Sequence, residues 1–262
     1  IHLENSFTRS LRAGEPQIGL WTSLCSNFAA EVVAPAGYDW ALIDMEHSHN
    51  DYASVLGQLQ AFAGYDTVPL VRVEWNDAVV VKRLLDLGAP GLLFPMIQTV
   101  EEARAAVAAT RYPPHGIRGV SGATRATKFG RVTDYAARVE AETAVLLQIE
   151  TVAALSRAEE IASVEGVTGV FFGPADIAAD MGMLGQPTAR EVWEKIRPVA
   201  KRVRALGVPV GTLVSDVGLA GELLNEGFTF VACGTDTGLL ARGSDALLAE
   251  VRGRVEPGRK QR

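Results

Sequence analysis

The amino-acid sequence predicts one (β/α)8 barrel, a parallel eight-stranded barrel wrapped in helices. Three observations lead there. A chain of 262 residues with 48% hydrophobic content can bury a sizeable core. Eight short, nearly continuous apolar runs recur along it. Between them lie stretches with apolar residues at three- and four-residue spacing that end repeatedly on glycine, as helices do. Apolar strands alternating with helices indicate a parallel sheet covered on its outside, and eight such units at this length favour a closed barrel over an open doubly wound sheet. No linker or compositional shift divides residues 1–262, which read as a single domain.

In chain order the strand-type runs are "QIGLWTSL" (17–24), "WALIDMEH" (40–47), "VPLVRVE" (68–74), "GLLFPMI" (91–97), "AVLLQIE" (144–150), "GVFFGP" (169–174), "VPVGTLVS" (208–215) and "TFVACGTD" (229–236). The helical spacing is clearest in "DAVVVKRLLDLG", "VEEARAAVAATRY", "VAALSRAEEIASV", "EVWEKIRPVAKRVRALG" and "GLAGELLNEG". The rhythm breaks at residues 112–143, a polar segment rich in Gly and Arg that exceeds an ordinary helix-to-strand connection. Loops of that length in a compact domain tend to be functional, so the segment is expected over the barrel mouth or against a neighbouring subunit.

A formal net charge of −6 argues against a nucleic-acid backbone or an anionic membrane as partner, because both need a basic face. The basic tail at 252–262 is too short to alter that balance. Two cysteines, Cys25 and Cys233, in separate apolar contexts support neither a disulfide framework nor a Cys-rich zinc site, so a reducing cytoplasm is the expected setting. No apolar run approaches the roughly 18 residues needed to span a bilayer, and the first residues lack the apolar core of a secretion signal.

In such barrels the chemistry sits at the C-terminal ends of the strands. There the second strand delivers Asp44, Glu46 and His47, the third Arg72 and Glu74, the fifth Gln148 and Glu150, and the sixth Gly173, Pro174, Ala175 and Asp176. Gln148 and Glu150 are two apart and share one side of their strand. Asp176 opens a helix-like stretch whose backbone N–H groups suit an anion. Two carboxylates from adjacent strand ends, with a glutamine beside one, form an all-oxygen set for a hard divalent ion such as magnesium, manganese or cobalt. The competing reading makes Asp176 a helix cap and Glu150 a rim carboxylate paired with an arginine.

His47 serves as a base near neutral pH if a carboxylate orients it, and Asp86 at the end of the third helix is a candidate; otherwise His47 is a turn residue or a satisfied core group. Glu46 and His49 read as solvated or structural. Arg72, ending a buried strand, needs an acid or an anionic ligand: Asp44 or Glu74 within the chain, or a substrate carboxylate. The lysines Lys82, Lys128, Lys195, Lys201 and Lys260 fall in helical patterns, the long loop and the tail, which disfavours Schiff-base chemistry. There is no G-x-S-x-G elbow, Cys25 has no evident base, and "GVSGATRATKFG" lacks the ending of a phosphate-binding loop.

The stretches "WALIDMEHSHND", "PLVRVEWND", "LLDLGAPGLLFPMIQTVEEARAAVAATRYPPHGIRGV", "LLQIET" and "GVTGVFFGPADIAADMG" resemble, in order and over most of the chain, the HpcH/HpaI-type class II pyruvate aldolases. That family includes 4-hydroxy-2-oxoheptanedioate aldolase and 2-dehydro-3-deoxyglucarate aldolase. The resemblance implies a divalent metal held by Glu150 and Asp176, completed by water and substrate. It implies that His47 transfers a proton, that Asp86 raises its basicity, and that Arg72 steadies the enolate oxygen. Gln148 and the Ala175 amide, within the Gly173–Pro174 turn, match positions that hold pyruvate; Asp44 matches an acid near this network. "GVSGATRATKFG" and "GTLVSD" depart from the family pattern around the aldehyde end of the pocket, where Val120 and Leu213 are expected contacts, and Met45 and His49 depart from it near the base.

The implied activity is reversible cleavage of 4-hydroxy-2-oxo acids to pyruvate and an aldehyde, with a role in aromatic compound catabolism. The resemblance also implies a homohexamer, a trimer of dimers, in which the terminal helix at 236–254 packs on a neighbour, although an ordinary last barrel helix reads identically. Two other readings remain: a related metal-dependent acyl-CoA lyase, and a non-catalytic barrel that binds a 2-oxo acid.

Overall fold

Successive residues of a strand face opposite sides, and here both sides are apolar, the pattern of strands buried between a barrel interior and a helix layer. The computed structural model, which describes residues 3–255, closes eight parallel strands into a barrel paired in sequence order, with the last strand returning to the first. The strands are β1 Gln17–Thr22, β2 Trp40–Asp44, β3 Val68–Arg72, β4 Gly91–Phe94, β5 Ala144–Ile149, β6 Gly169–Phe172, β7 Val210–Leu213 and β8 Phe230–Thr235. All eight expected strands are present. Each ends somewhat earlier than its apolar run suggests, because the residues beyond turn out of the ladder to build the rim.

The helices are α1 Ser6–Ala13, α2 Asn27–Val33, α3 Tyr52–Phe62, α4 Ala78–Asp86, α5 Val100–Thr110, α6 Tyr135–Glu142, α7 Val152–Leu155, α8 Ala158–Ala162, α9 Pro174–Asp180, α10 Arg190–Ala205, α11 Val217–Glu226 and α12 Asp236–Arg254. Several polar residues after the strands cap these helices. Asp51 accepts from the Ser54 amide, Asp77 from those of Val79 and Val80, and Asp216 from that of Leu219, while Thr99 and Glu102 form a reciprocal capping box. That use separates them from the residues left for chemistry.

Trp21, Trp40, Leu42, Leu70, Leu93, Ala144, Leu146, Phe171 and Phe230 fill the barrel interior, and Phe7 and Leu11 of α1 close its N-terminal end. The Phe7 ring lies 5.8 Å from the rings of both Trp40 and Phe230. Gly211 makes room for Phe230: a Cβ there would come within 2.3 Å of that ring. Ile43, Val71, Leu92, Val145, Leu147, Val170 and Val231 face the helices instead. Each fully buried aliphatic or aromatic side chain contributes about 1.5–3 kcal/mol.

Helix α4 carries the chain from the end of β3 back to the start of β4, so Asp86 lies at the N-terminal end of the barrel. The long segment is anchored there too. The Ala126 amide donates to the Asp86 carbonyl at 3.1 Å and Arg125 Nη1 to the Leu87 carbonyl at 2.6 Å. The last part of the segment forms α6. This corrects the expectation that residues 112–143 cover the mouth of their own barrel. A connection from a helix to the next strand starts at the barrel's N-terminal end.

Beyond Asp236 nearly all of α12 is exposed on this chain, including Leu239, Leu240, Leu247, Leu248 and Val251. Most of the basic tail lies outside the described residues. Among the described residues no helix is long and apolar enough to cross a membrane.

Candidate active site

A polar layer sits directly on the apolar interior. Trp40, Leu42 and Asp44 share one side of β2, Leu70 and Arg72 one side of β3, and Ala144, Leu146 and Gln148 one side of β5, so period two lifts Asp44, Arg72 and Gln148 to the C-terminal rim. Asp44 and Arg72 are register partners across the ladder. Arg72 Nε donates to Asp44 Oδ1 at 2.8 Å and Nη2 to Oδ2 at 2.7 Å, a bidentate pair between buried groups. Trp21 Nε1 also donates to Asp44 Oδ2, at 3.2 Å, while its ring lies 4.8 Å from the guanidinium. Burial pushes the Asp44 carboxyl up, but the hydrogen bonds and charge of Arg72 more than offset this and hold it below the ordinary range.

The same carboxylate folds the loop that follows. Asp44 Oδ1 accepts from the amides of Glu46 and His47 at 3.0 and 3.4 Å, and the Asp44 carbonyl accepts from Ser48 Oγ and Asn50 Nδ2. His47 is thereby set at the rim with its side chain 67% exposed, and its Nε2 is 3.8 Å from Glu46 Oε1. The other Glu46 oxygen, Oε2, lies 2.8 Å from Arg72 Nη1. Burial raises the Glu46 carboxyl above its ordinary range against the charge of Arg72, and the negative charges of Asp44 and Asp176 add to the rise.

Glu150, one residue past β5, is 2% exposed. Its Oε1 accepts from the Met96 amide at 2.7 Å and its Oε2 from Gln148 Nε2 at 2.5 Å. Met96 reaches this position with φ of 52°, a left-handed conformation costly for a residue with a side chain. Burial drives the Glu150 carboxyl up to about 7, against the two hydrogen bonds and with help from the charges of Asp176 and Glu46. Gly173 is required beside it, because a Cβ there would lie 2.7 Å from Glu150 Oε2. Gly173 also precedes α9, whose first turn carries Pro174, Ala175 and Asp176, the last two exposed.

Asp44 and Glu46 pair with Arg72, the charges of Glu46, Glu150 and Asp176 bear on one another, and the buried Gln148 Oε1 has no hydrogen-bond partner. That excess of negative charge and free acceptor oxygen fits a hard cation. Among the described residues no group of three or more His, Cys, Asp or Glu is arranged to hold a metal.

Residues 17–243 match the HpcH/HpaI aldolase/citrate lyase family. The chain is 56% identical to a pyruvate aldolase of Rhizobium etli over 245 residues, covering 94% of this chain and 96% of that protein. It is 51% identical to the 4-hydroxy-2-oxo-heptane-1,7-dioate aldolase of Klebsiella pneumoniae subsp. pneumoniae over 248 residues, 94% of each. The crystal structure of an HpcH/HpaI aldolase/citrate lyase family protein from Burkholderia cenocepacia superposes with a TM-score of 0.91 at 40% identity, covering 95% of this chain and 99% of that one. The chain belongs to the HpcH/HpaI aldolase/citrate lyase family.

The family match spans all eight strands, and hence the whole polar layer. The fold brings His47, Arg72, Gln148, Glu150, Gly173, Pro174, Ala175, Asp176 and Leu213 to one end of the barrel. Asp176 is not the cap of α9, a position held by Gly173, and Glu150 is paired with Gln148 rather than an arginine. Asp86 and Val120 do not join this group within one chain. Asp86, at the opposite end, pairs with Arg118 at 2.8 Å, and Val120 is 78% exposed on the segment anchored there. Spacing could not reveal this, because α4 reverses direction between Arg72 and Asp86. Glu46, read as solvated or structural, is an ion-pair partner of Arg72; its position two past Asp44, on the interior-facing parity, was the available signal. Glu74 is exposed and takes no part.

Proposed function

We propose that this chain is a divalent-metal-dependent aldolase, a carbon–carbon lyase that interconverts 4-hydroxy-2-oxo acids with pyruvate and an aldehyde. The observation that carries the reading is the bidentate Asp44–Arg72 pair standing beside the Gln148–Glu150 pair on the barrel rim, in a member of a family with closely similar aldolases.

Glu150 and Asp176 hold the ion, with magnesium, manganese or cobalt suited to their oxygen donors. A divalent cation there supplies Lewis acidity toward the oxygens of a bound 2-oxo acid. Gln148 and the Ala175 amide orient the carboxylate end of pyruvate. Arg72, fixed by Asp44, offers its remaining N–H groups to the oxygen on which negative charge grows. His47, exposed at the rim, exchanges the proton of the methyl carbon. Leu213 at the end of β7 flanks the aldehyde side.

The exposed apolar residues of α12 support an oligomer, which we take to be a hexamer built as a trimer of dimers. A neighbouring chain is then the source from which Asp86 and Val120 would reach a site. A cytoplasmic setting and a role in aromatic compound catabolism accompany this reading.

Pyruvate release from a panel of 4-hydroxy-2-oxo acids should vanish with chelator and return with a divalent ion; turnover surviving complete chelation would reject metal dependence. An acyl-CoA lyase would require CoA, and a binding-only barrel would release no pyruvate under any condition.

A further inference from the structure

Arg72 is shared by two carboxylates that do different work. Asp44 takes Nε and Nη2 with aligned hydrogen bonds, whereas Glu46 Oε2 approaches Nη1 at 2.8 Å without hydrogen-bond alignment and remains a buried acceptor with no hydrogen-bond partner. The other oxygen of the same Glu46 carboxylate is 3.8 Å from His47 Nε2. One side chain thus spans the cation that receives charge and the imidazole that receives a proton.

We propose that Glu46 is a positioning residue for aldol chemistry, covering Arg72 Nη1 in the resting site and turning toward His47 as substrate charge displaces it. The inference rests on the proposed aldolase reading. When the methyl C–H bond of pyruvate breaks, the proton passes to His47 and the electron pair forms the enolate C=C, leaving negative charge on the carbonyl oxygen. An imidazolium then attracts Glu46 while the new oxyanion competes for Nη1. Both changes pull the carboxylate the same way. The charged groups facing it are Arg72 from β3, His47 and Asp44 from its own segment, Asp176 from the first turn of α9 and Glu150 from the end of β5.

The test compares wild type, Glu46→Gln and Glu46→Asp as metal-saturated full-length proteins, reading kcat, KM and the affinity of oxamate, a pyruvate isostere. For Glu46→Gln, kcat should fall roughly ten-fold or more, while oxamate binds several-fold more tightly because Nη1 has lost its competing anion. Glu46→Asp should restore part of kcat. Weaker oxamate binding alongside the lost kcat overturns the proposal, and so does a Glu46→Gln enzyme within two-fold of wild type in every constant. If Glu46→Gln fails to fold, the Glu46→Asp enzyme decides: kcat and oxamate affinity both within two-fold of wild type overturn the proposal. Absence of pyruvate release from the wild type itself would instead reject the aldolase reading.

Discussion

Arg72 shows how a single residue joins stability to chemistry. Its guanidinium is almost fully buried and compensated mainly by Asp44, so Arg72→Ala would strand a buried carboxylate and cost about 3–5 kcal/mol in denaturant unfolding. In steady-state kinetics the same variant should lower kcat more than it raises KM; the reverse pattern would assign Arg72 to ground-state binding. Arg72→Lys keeps the charge but loses the two-pronged fit to Asp44, and should recover little of either loss. Glu150 carries a pH signature. Its carboxyl rises from 4.5 to about 7 on folding, so the metal-free native state holds a proton that the unfolded chain has released. Stability then declines as pH rises from about 4.5 to about 7 and stays lowered above it. Thermal melts of Glu150→Gln should lack that decline, and a divalent ion should bind wild type more tightly as pH passes through about 7, because it must displace the proton. Equal pH dependence in wild type and Glu150→Gln would refute the assignment.

Elements position these residues through their ends rather than their middles. The turn between β6 and α9 needs a residue without a side chain at Gly173, where a Cβ would collide with Glu150. Gly173→Ala should therefore reduce kcat/KM by about 100-fold or more while circular dichroism still reports the barrel; full activity would mean that Glu150 has room to move. At the other end, α1 inserts Phe7 beneath Trp40 and Phe230, so Phe7→Ala should lower stability by about 3–5 kcal/mol with little effect on kcat. The strand order could be read from apolar runs, and the helices from their spacing and caps. The role of α1 could not, because a short amphipathic helix before the first strand carries no mark saying which surface it covers.

On the scale of the whole molecule, the exposed face of α12 and the separation of Asp86 from His47 point the same way. A chain acting alone leaves Leu239, Leu240, Leu247, Leu248 and Val251 in water. Light scattering should report an oligomer, and the double variant Leu240→Asp with Leu247→Asp should dissociate it. If a neighbour's Asp86 assists His47, that dissociated form should also lose activity; a fully active monomer would exclude such help. The long segment at 112–143 was legible as an insertion, but its polarity and length could not choose between its own barrel's mouth and a neighbouring subunit, because they say nothing about which end of a barrel it occupies.

Local pattern alone determined the barrel and its polar crown. Apolar strands alternating with helices close the sheet, and period-two spacing carries Leu42 to Asp44 to Glu46, Leu70 to Arg72, and Leu146 to Gln148 to Glu150 along the interior side. Tertiary structure decided which groups meet: that Asp44 takes two edges of Arg72 and Glu46 a third, that Met96 turns its amide onto Glu150, and that within one chain Asp86 faces Arg118 and not His47. The reason is physical. Hydrogen bonds and ion pairs act over a few ångströms between residues brought together by strand register and helix reversal, and neither is encoded in any one segment.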